Sequence, residues 1–195
     1  MTFAWQGSPQ PKIGVQGTIQ PILTTEQIQR RVVDIARQIN TDYAGKTLYA
    51  VGVLEDGFIF MADLVRQLDI PVICQFVKPE TREVQHSEVS TTEIFFSPEV
   101  DVRGGDVLLI QGLLQSGITT EFLMRNLSAR GAATVKVATL LDRQTGRRVM
   151  LQPDYFGFLV DESFVFGYGL GTNKMGRNLP YIATTKEMAG RSAGK

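Results

Sequence analysis

Short apolar runs alternate along the chain with stretches whose apolar residues recur at helical spacing. Four runs are rich in aliphatic and β-branched residues and predict strands buried on both faces: residues 48–54, 71–77, 107–113 and 134–142. The intervening stretches predict three helices: one capped by Thr24 or Thr25 and ended by Gly45, one over 58–68, and one ended by Gly131. Strand, helix and strand in this order form βαβ units, so we expect a mainly parallel sheet with right-handed crossovers.

The same pattern predicts the extent of the domain and the edge where a ligand would bind. We expect one doubly wound α/β domain over residues 21–186, preceded by a flexible arm over 1–20 and followed by a frayed tail over 187–195. Three further segments are predicted to be extended: a hairpin within 78–106, and strands at 155–160 and 181–185. Ligands of such sheets bind beyond the carboxyl ends of the strands, which here lead into four loops: 55–57, 111–120, 143–148 and 164–177.

Composition narrows the function classes. The chain has 20 basic and 20 acidic residues and a formal net charge of zero, which argues against bulk electrostatic binding to nucleic acid or to a membrane surface. A single cysteine, Cys74, allows no internal disulfide and is expected to be a buried strand residue. Because we find no long apolar span and no secretion signal, we expect a cytoplasmic protein.

The loop after the third strand run has the chemistry of a phosphate cradle. The expected phosphate-binding residues follow that strand directly: Ser116, Gly117, Ile118, Thr119 and Thr120. Unsatisfied backbone N–H groups and the positive end of the helix dipole favour an anion at a helix start, and hydroxyls can donate to phosphate oxygens. The alternative is an ordinary Ser/Thr helix cap without a ligand, and the pattern alone does not decide between the two. Residues 107–120 contain no carboxylate to hold a metal.

Three segments resemble one known family: LYAVGVLEDGFIFMADLVRQLDIPV, VRGGDVLLIQGLLQSGITTEFLMRNLSARG, and PDYFGFLVDESFVFGYGL with RNLPYI. They are similar to the hypoxanthine-guanine phosphoribosyltransferases, which are type I phosphoribosyltransferases. The resemblance implies a doubly wound sheet with a small hood, and a homodimer or homotetramer. It also implies transfer of ribose 5-phosphate from phosphoribosyl pyrophosphate to a 6-oxopurine with Mg²⁺.

This sequence departs from the family at the positions of its acids. The family's general-base aspartate corresponds to Gln115, whose neutral amide cannot accept a proton at neutral pH. The acidic pair at the strand end, which binds the ribose hydroxyls directly or through metal, corresponds to Gln111 and Gly112, and a further metal-associated aspartate corresponds to Gly171. We therefore expect no catalytic residue and no metal ligand at these positions.

The resemblance also assigns the remaining loops. Arg143 stands where the family has a lysine that reaches the purine O6, Phe164 matches the aromatic that stacks on the base, and Val165 matches a residue whose backbone reads the purine edge. Three residues replace the family's pyrophosphate loop, Glu55, Asp56 and Gly57, and Arg177 matches its nearby arginine. The two carboxylates would repel pyrophosphate by about 1 kcal/mol or more per close pair.

Three hypotheses about function follow. The first is a phosphoribosyltransferase-fold protein that binds a purine nucleotide or related phosphate with weak or no transferase activity, as a sensor, regulator or partner-binding module. The second is an active, Mg²⁺-dependent enzyme of purine salvage with metal ligands displaced to the 78–105 arm. Separately, Glu55 and Asp56 are either a new cation site or ordinary solvated loop residues. The third is a different chemistry on the same fold, or a structural subunit of an active relative.

Overall fold

The computed structural model describes residues 18–86, 89–95, 100–162, 164–171 and 176–186 of the chain. In chain order the elements are β1 (Thr18–Leu23), α1 (Thr25–Asp42), β2 (Leu48–Val53), α2 (Phe58–Val65), β3 (Val72–Val77), β4 (Glu80–His86), β5 (Val89–Phe95), β6 (Asp106–Leu114), α3 (Ile118–Ala129), β7 (Thr134–Asp142), β8 (Tyr155–Leu159) and β9 (Ile182–Lys186). None of the helices in this part of the chain has the length and hydropathy that a membrane span requires.

The core of the fold is a five-stranded sheet in the order β3-β2-β6-β7-β8. Every pairing within it is parallel, which confirms the predicted α/β class and the βαβ units. Parallel pairing brings the carboxyl ends of β2, β6 and β7 to one edge, where the chain continues into the loops that were predicted to bind a ligand.

Alternate residues of the strands pack on opposite faces of the sheet, as the two-residue period of a strand requires. Leu108 and Ile110 of β6 belong to the core under α1 and α2, whereas Val107 and Leu109 belong to the core under α3. Helices therefore cover both faces, and β6 lies at the centre of the sheet. Because α3 follows β6 directly, the helix begins at the carboxyl end of the central strand.

The position of β3 corrects one prediction. Cys74 is exposed rather than buried, and Ile73 and Phe76 are 41% and 49% exposed. The reason is that β3 is the outermost strand and is paired on one side only, to β2. An apolar run thus identified the strand correctly but did not indicate its place in the sheet.

Smaller elements complete the domain. β1 and β9 form a separate antiparallel pair, so residues 18–20 of the predicted arm lie in a strand, and β4 and β5 form the predicted hairpin. Thr24 caps α1 through a capping box with Gln27. Helix α2 ends at Val65, three residues earlier than predicted, because the next backbone N–H groups bond three residues back in a turn. Residues 1–17 and 187–195 lie outside the described part.

Candidate functional site

The start of α3 presents unsatisfied backbone donors beyond the end of β6. Gly117 occupies the N-cap with φ of 79°, and no side chain caps the helix. The first bond within the helix is donated by the N–H of Glu121 to the carbonyl of Gly117, at 2.8 Å. The N–H groups of residues 118–120 therefore have no acceptor within the helix, and such a terminus attracts an anion. The alternative of a Ser/Thr helix cap is wrong.

Side chains around this terminus line a cavity of about 320 Å³, called here the phosphate cavity. Ser116 and Thr119 lie in its wall, whereas Ile118 is 41% exposed. The hydroxyl of Thr120 donates to Oε1 of Gln111 at 3.0 Å, so its proton is engaged within the protein. Two hydroxyls, rather than the three predicted, are then left to donate to a phosphate.

Gln111 is an unusual wall residue. Its side chain is buried and lines the phosphate cavity, but Nε2 finds no acceptor among the described residues. Leaving a buried polar group without a partner costs about 1–3 kcal/mol. An amide at this position cannot replace a carboxylate as a Mg²⁺ ligand of comparable strength.

Residues 147–151, called here the clasp, form hydrogen bonds to the backbone of residues 115–120, called here the phosphate loop. The guanidinium of Arg147 donates to the carbonyl of Gln115 at 2.8 Å, to the carbonyl of Leu151 and to the buried carboxylate of Asp142. The N–H of Arg148 donates to the carbonyl of Ser116 at 2.9 Å. The arrangement fixes the backbone of the phosphate loop independently of any ligand.

A second cavity, of about 260 Å³ and called here the base cavity, adjoins the first. Its lining includes the predicted purine-binding residues Arg143, Phe164 and Val165, together with Gly171 and Arg177. The buried guanidinium of Arg143 donates to the carbonyl of Glu162 at 2.8 Å, and the ring of Phe164 lies 5.6 Å from that of Phe166. The base cavity therefore has a fixed cationic donor and an aromatic wall.

The loop 54–57 brings negative charge to the same edge. Glu55 forms ion pairs with Arg177 at 3.4 Å and with Lys78 at 3.8 Å. Burial raises the pKa of Asp56, against the opposing charge of Arg177, and the neighbouring Glu55 raises it further. One terminal nitrogen of Arg177 donates to the carbonyl of Gly169 at 2.6 Å and the other pairs with Glu55, whereas Nε has no partner among the described residues.

Two glycines allow this loop to lie directly on β6. A Cβ at Gly112 would lie 2.5 Å from the carbonyl oxygen of Asp56 and 2.9 Å from Leu170. A Cβ at Gly57 would lie 2.8 Å from the carbonyl of Val53 and 2.9 Å from that of Ile110. Distances this short exclude a side chain, so Gly57 and Gly112 shape the site without lining either cavity.

The residues present do not fit a Mg²⁺ ion held by the protein. Mg²⁺ prefers hard oxygen ligands, mainly carboxylates and phosphates. Gln111, Gly112, Gln115 and Gly171 offer no carboxylate, and the described residues contain no group of three or more His, Cys, Asp or Glu side chains placed to hold a metal. Apart from Glu80, which is exposed, the glutamates of the 78–105 arm have side chains outside the described part.

The structure thus brings most of the predicted residues together in two adjoining cavities. It also adds residues that the sequence did not single out: Asp142 and Arg147 support the phosphate loop, and Leu113 lines both cavities. The charged residue at the end of the apolar strand β7 was a signal for Asp142. No feature of the sequence distinguishes Arg147 from its neighbour Arg148.

Comparison with known proteins gives a consistent result. A family model described as phosphoribosyl transferase domain matches residues 19–173. The hypoxanthine-guanine phosphoribosyltransferase of Bacillus subtilis (strain 168) is 34% identical over 85% of this chain and 92% of its own length. That of Dictyostelium discoideum is 34% identical over 85% and 94%. The crystal structure of a hypoxanthine-guanine phosphoribosyltransferase from Bacillus anthracis superposes with a TM-score of 0.79 at 28% identity, covering 88% of this chain and 100% of that one.

Proposed function

Since this chain belongs to the hypoxanthine-guanine phosphoribosyltransferase family, we propose that it binds a purine nucleoside 5′-monophosphate and has weak or no transferase activity. The observation that carries the proposal is the uncapped start of α3, which is rigidly supported and adjoins a cavity with an aromatic wall. Small-molecule sites usually measure about 300–1,000 Å³. Each cavity alone is near or below the lower limit, so a ligand that spans both fits better than a ligand in one.

The phosphate cavity supports the monophosphate half of the proposal. Backbone N–H groups of α3 and the hydroxyls of Ser116 and Thr119 supply donors. Hydrogen bonds to a charged acceptor contribute about 1.5–3 kcal/mol each. The 5′-phosphate is therefore expected to provide much of the affinity without a metal.

The base cavity supports a purine with an oxygen at position 6. Arg143 has only donors and would satisfy a 6-oxo group but would oppose a 6-amino group. Phe164 offers a face on which a purine can stack. IMP and GMP are thus better candidates than AMP.

The loop 54–57 argues against binding of pyrophosphate and therefore against transfer. Glu55 and Asp56 place two carboxylates beside Arg177, whose charge they largely neutralise. A leaving pyrophosphate would meet repulsion where catalysis needs electrostatic stabilisation, and one lost stabilising donor of that kind costs about 2.7–4 kcal/mol in comparable enzymes. Gln115 adds no general base.

Isothermal titration with IMP, GMP, AMP and inosine tests the proposal. We expect IMP and GMP to bind with the same affinity in Mg²⁺ and in EDTA, AMP to bind about tenfold more weakly, and inosine at least about 100-fold more weakly. Comparison of IMP with inosine isolates the phosphate. Absence of binding by every nucleoside monophosphate would overturn the proposal.

A turnover assay with phosphoribosyl pyrophosphate, hypoxanthine and Mg²⁺ tests the alternative of an active salvage enzyme. The names of the relatives favour this alternative, whereas the altered acids oppose it. We expect rates at background. Turnover that is abolished by EDTA would establish the transferase and exclude a silent binding protein.

The resemblance to the family further suggests a cytoplasmic homodimer or homotetramer, without nucleic acid or membrane as partner. Size-exclusion chromatography with light scattering would measure the assembly directly. A stable monomer would contradict this part of the proposal and leave the ligand site unaffected.

A further inference from the structure

The two cavities meet at a junction formed by Asp56, Leu113 and Gln115, which line both. Ser116 and Thr119 line the phosphate cavity but not the base cavity, and Phe164 lines the base cavity but not the phosphate cavity. In a nucleoside monophosphate the sugar connects the base to the 5′-phosphate. A nucleotide that fills both cavities must therefore place its ribose at the junction.

The junction has one strong hydrogen-bond acceptor. Leu113 is apolar, Gln115 has a neutral amide, and Asp56 has a carboxylate with about four acceptor sites. Among the described residues, Asp56 is the acid that lines both cavities. Ribose hydroxyls are donors, so the carboxylate is the natural partner for them.

Asp56 has acceptor capacity to spare. Arg177 donates to the carbonyl of Gly169 and pairs with Glu55, so it acts on the Asp56 carboxylate through charge. Desolvation by burial is the largest influence on its pKa, which is raised. Asp56 is half-buried, so its carboxylate is only partly hydrated and donors supplied by a ligand would stabilise it.

Gly112 allows the backbone of Asp56 to lie at the junction. The carbonyl of Asp56 lies so close to Gly112 that any side chain at position 112 would displace the loop 54–57. The backbone of Asp56 can therefore occupy its place only while position 112 of β6 has no side chain. Leu170 packs against the same glycine and closes the contact from the other side.

We infer that Asp56 accepts hydrogen bonds from the ribose hydroxyls, and that the site therefore selects ribonucleotides over nucleotides that lack these hydroxyls. The inference rests on the proposed function, because it assigns the sugar subsite of the same ligand. Asp56 lies where the family has its pyrophosphate loop. In this chain the same position would recognise the ribose instead.

Titration of IMP and of 2′,3′-dideoxy-IMP tests the inference in the wild type, in Asp56→Ala and in Asp56→Asn. We expect the wild type to prefer IMP at least about tenfold, as the loss of hydrogen bonds to a charged group predicts. Asp56→Ala should bind both ligands equally. Asp56→Asn, which keeps the volume of the side chain, should reduce the preference for IMP over the dideoxy nucleotide several-fold. This variant tests the inference if Asp56→Ala does not fold.

Glu55→Gln is the matched control, since it changes the neighbouring acid, whose side chain lines neither cavity. It should shift both affinities by the same factor and leave the preference unchanged. Equal binding of the two ligands to the wild type would overturn the inference and leave the proposed function standing. A preference that persists in Asp56→Ala would assign the hydroxyls to another group. Failure of IMP itself to bind would overturn both.

Discussion

Two loops meet at the carboxyl end of β6, and they differ in what makes their chemistry. The loop 115–120 attracts an anion through its backbone, since the donors are the N–H groups of an uncapped helix. The loop 54–57 instead has its chemistry in two side chains, Glu55 and Asp56, of which Glu55 pairs with Arg177 and Lys78. Backbone chemistry persists while the fold persists, whereas side-chain chemistry changes with single substitutions. Under the proposed function, this chain keeps the phosphate-binding loop of the fold and loses the reaction that the family performs.

The largest effect is expected from the support of the phosphate loop. Arg147→Ala would leave the carboxylate of Asp142, which is 4% exposed, without its charged partner and would remove the donors to the carbonyls of Gln115 and Leu151. Breaking a buried ion pair costs about 3–5 kcal/mol. We expect a loss of this size in the free energy of unfolding, measured by urea denaturation.

Two further variants serve as controls for the loss in unfolding free energy of Arg147→Ala. Arg37→Ala removes an exposed ion pair with Asp34 on α1 and should cost about 0–1 kcal/mol. The double variant Asp142→Leu with Arg147→Leu should cost less than Arg147→Ala, because no charge is left unpaired. Equal losses for Arg147→Ala and Arg37→Ala would show that the clasp does not support the loop.

The second prediction concerns the backbone of the phosphate loop. Gly117→Ala places a Cβ 2.5 Å from Val149 at a residue with φ of 79°. Because the loop would have to move away from the clasp, we expect IMP to bind about 100-fold more weakly in isothermal titration.

Gly104→Ala is the matched control for backbone strain. Gly104 has φ of 68°, but nothing lies within 4 Å of its Cβ position. Gly104→Ala should lower stability by about 1–2 kcal/mol, which is the cost of a left-handed residue with a side chain, and Gly117→Ala should lower it by more because of the overlap with Val149. Affinity should fall only for Gly117→Ala. An equal fall in both would attribute the effect to stability rather than to the loop.

The third prediction reverses the contrast between the loops. Glu55→Gln removes one carboxylate and releases Arg177 from its ion pair, so pyrophosphate should compete with IMP about tenfold more strongly. Asp101→Asn is the control, since it breaks an exposed pair with Arg103 in the turn before β6, at the opposite edge of the sheet. Unchanged competition in Glu55→Gln would mean that the carboxylates do not exclude pyrophosphate.

The sequence predicted what depends on local pattern. The parallel strands, a threonine cap on α1 and a helix start after β6 follow from periodicity and from the residues at the element ends. Place in the sheet does not follow from periodicity, which is why Cys74 on the edge strand was predicted to be buried. The strand run 71–77 has the composition of a central strand, and only the pairing order shows that it lies at the edge.

The site was predicted in part for the same reason. Residues that lie in sequence next to a strand end, such as Ser116 and Thr119, were found because the fold brings strand ends together. The clasp by Arg147 depends on which of two adjacent arginines turns inward. The junction at Asp56 depends on a contact with Gly112, more than fifty residues away. Such long-range contacts leave no local signal in one sequence.

The smallest effect is expected from the charge of Asp56 in the free protein. Because burial raises the pKa of this carboxyl in the folded state, the folded protein holds its proton more tightly than the unfolded chain does. At low pH the protonated carboxyl contributes to the stability of the folded protein. This contribution is lost as the pH rises from the pKa of aspartate in the unfolded chain through its raised pKa in the folded protein. Asp56→Asn carries no charge and should therefore melt at a higher temperature at neutral pH. We expect less than about 4 °C, which corresponds to about 1 kcal/mol for a chain of this length.

The difference in Tm between Asp56→Asn and the wild type should shrink as the pH falls below the ordinary aspartate range, since Asp56 is then neutral in both states. Asp34→Asn, which removes an exposed carboxylate on α1, should give no rise at neutral pH. With IMP present the wild type should have the higher Tm, because the carboxylate that destabilises the free protein then accepts hydrogen bonds from the ribose hydroxyls. If Asp56→Asn lowered the Tm of the free protein, the carboxylate would be a structural group of the loop 54–57, and the contrast between the two loops would rest on Glu55 alone.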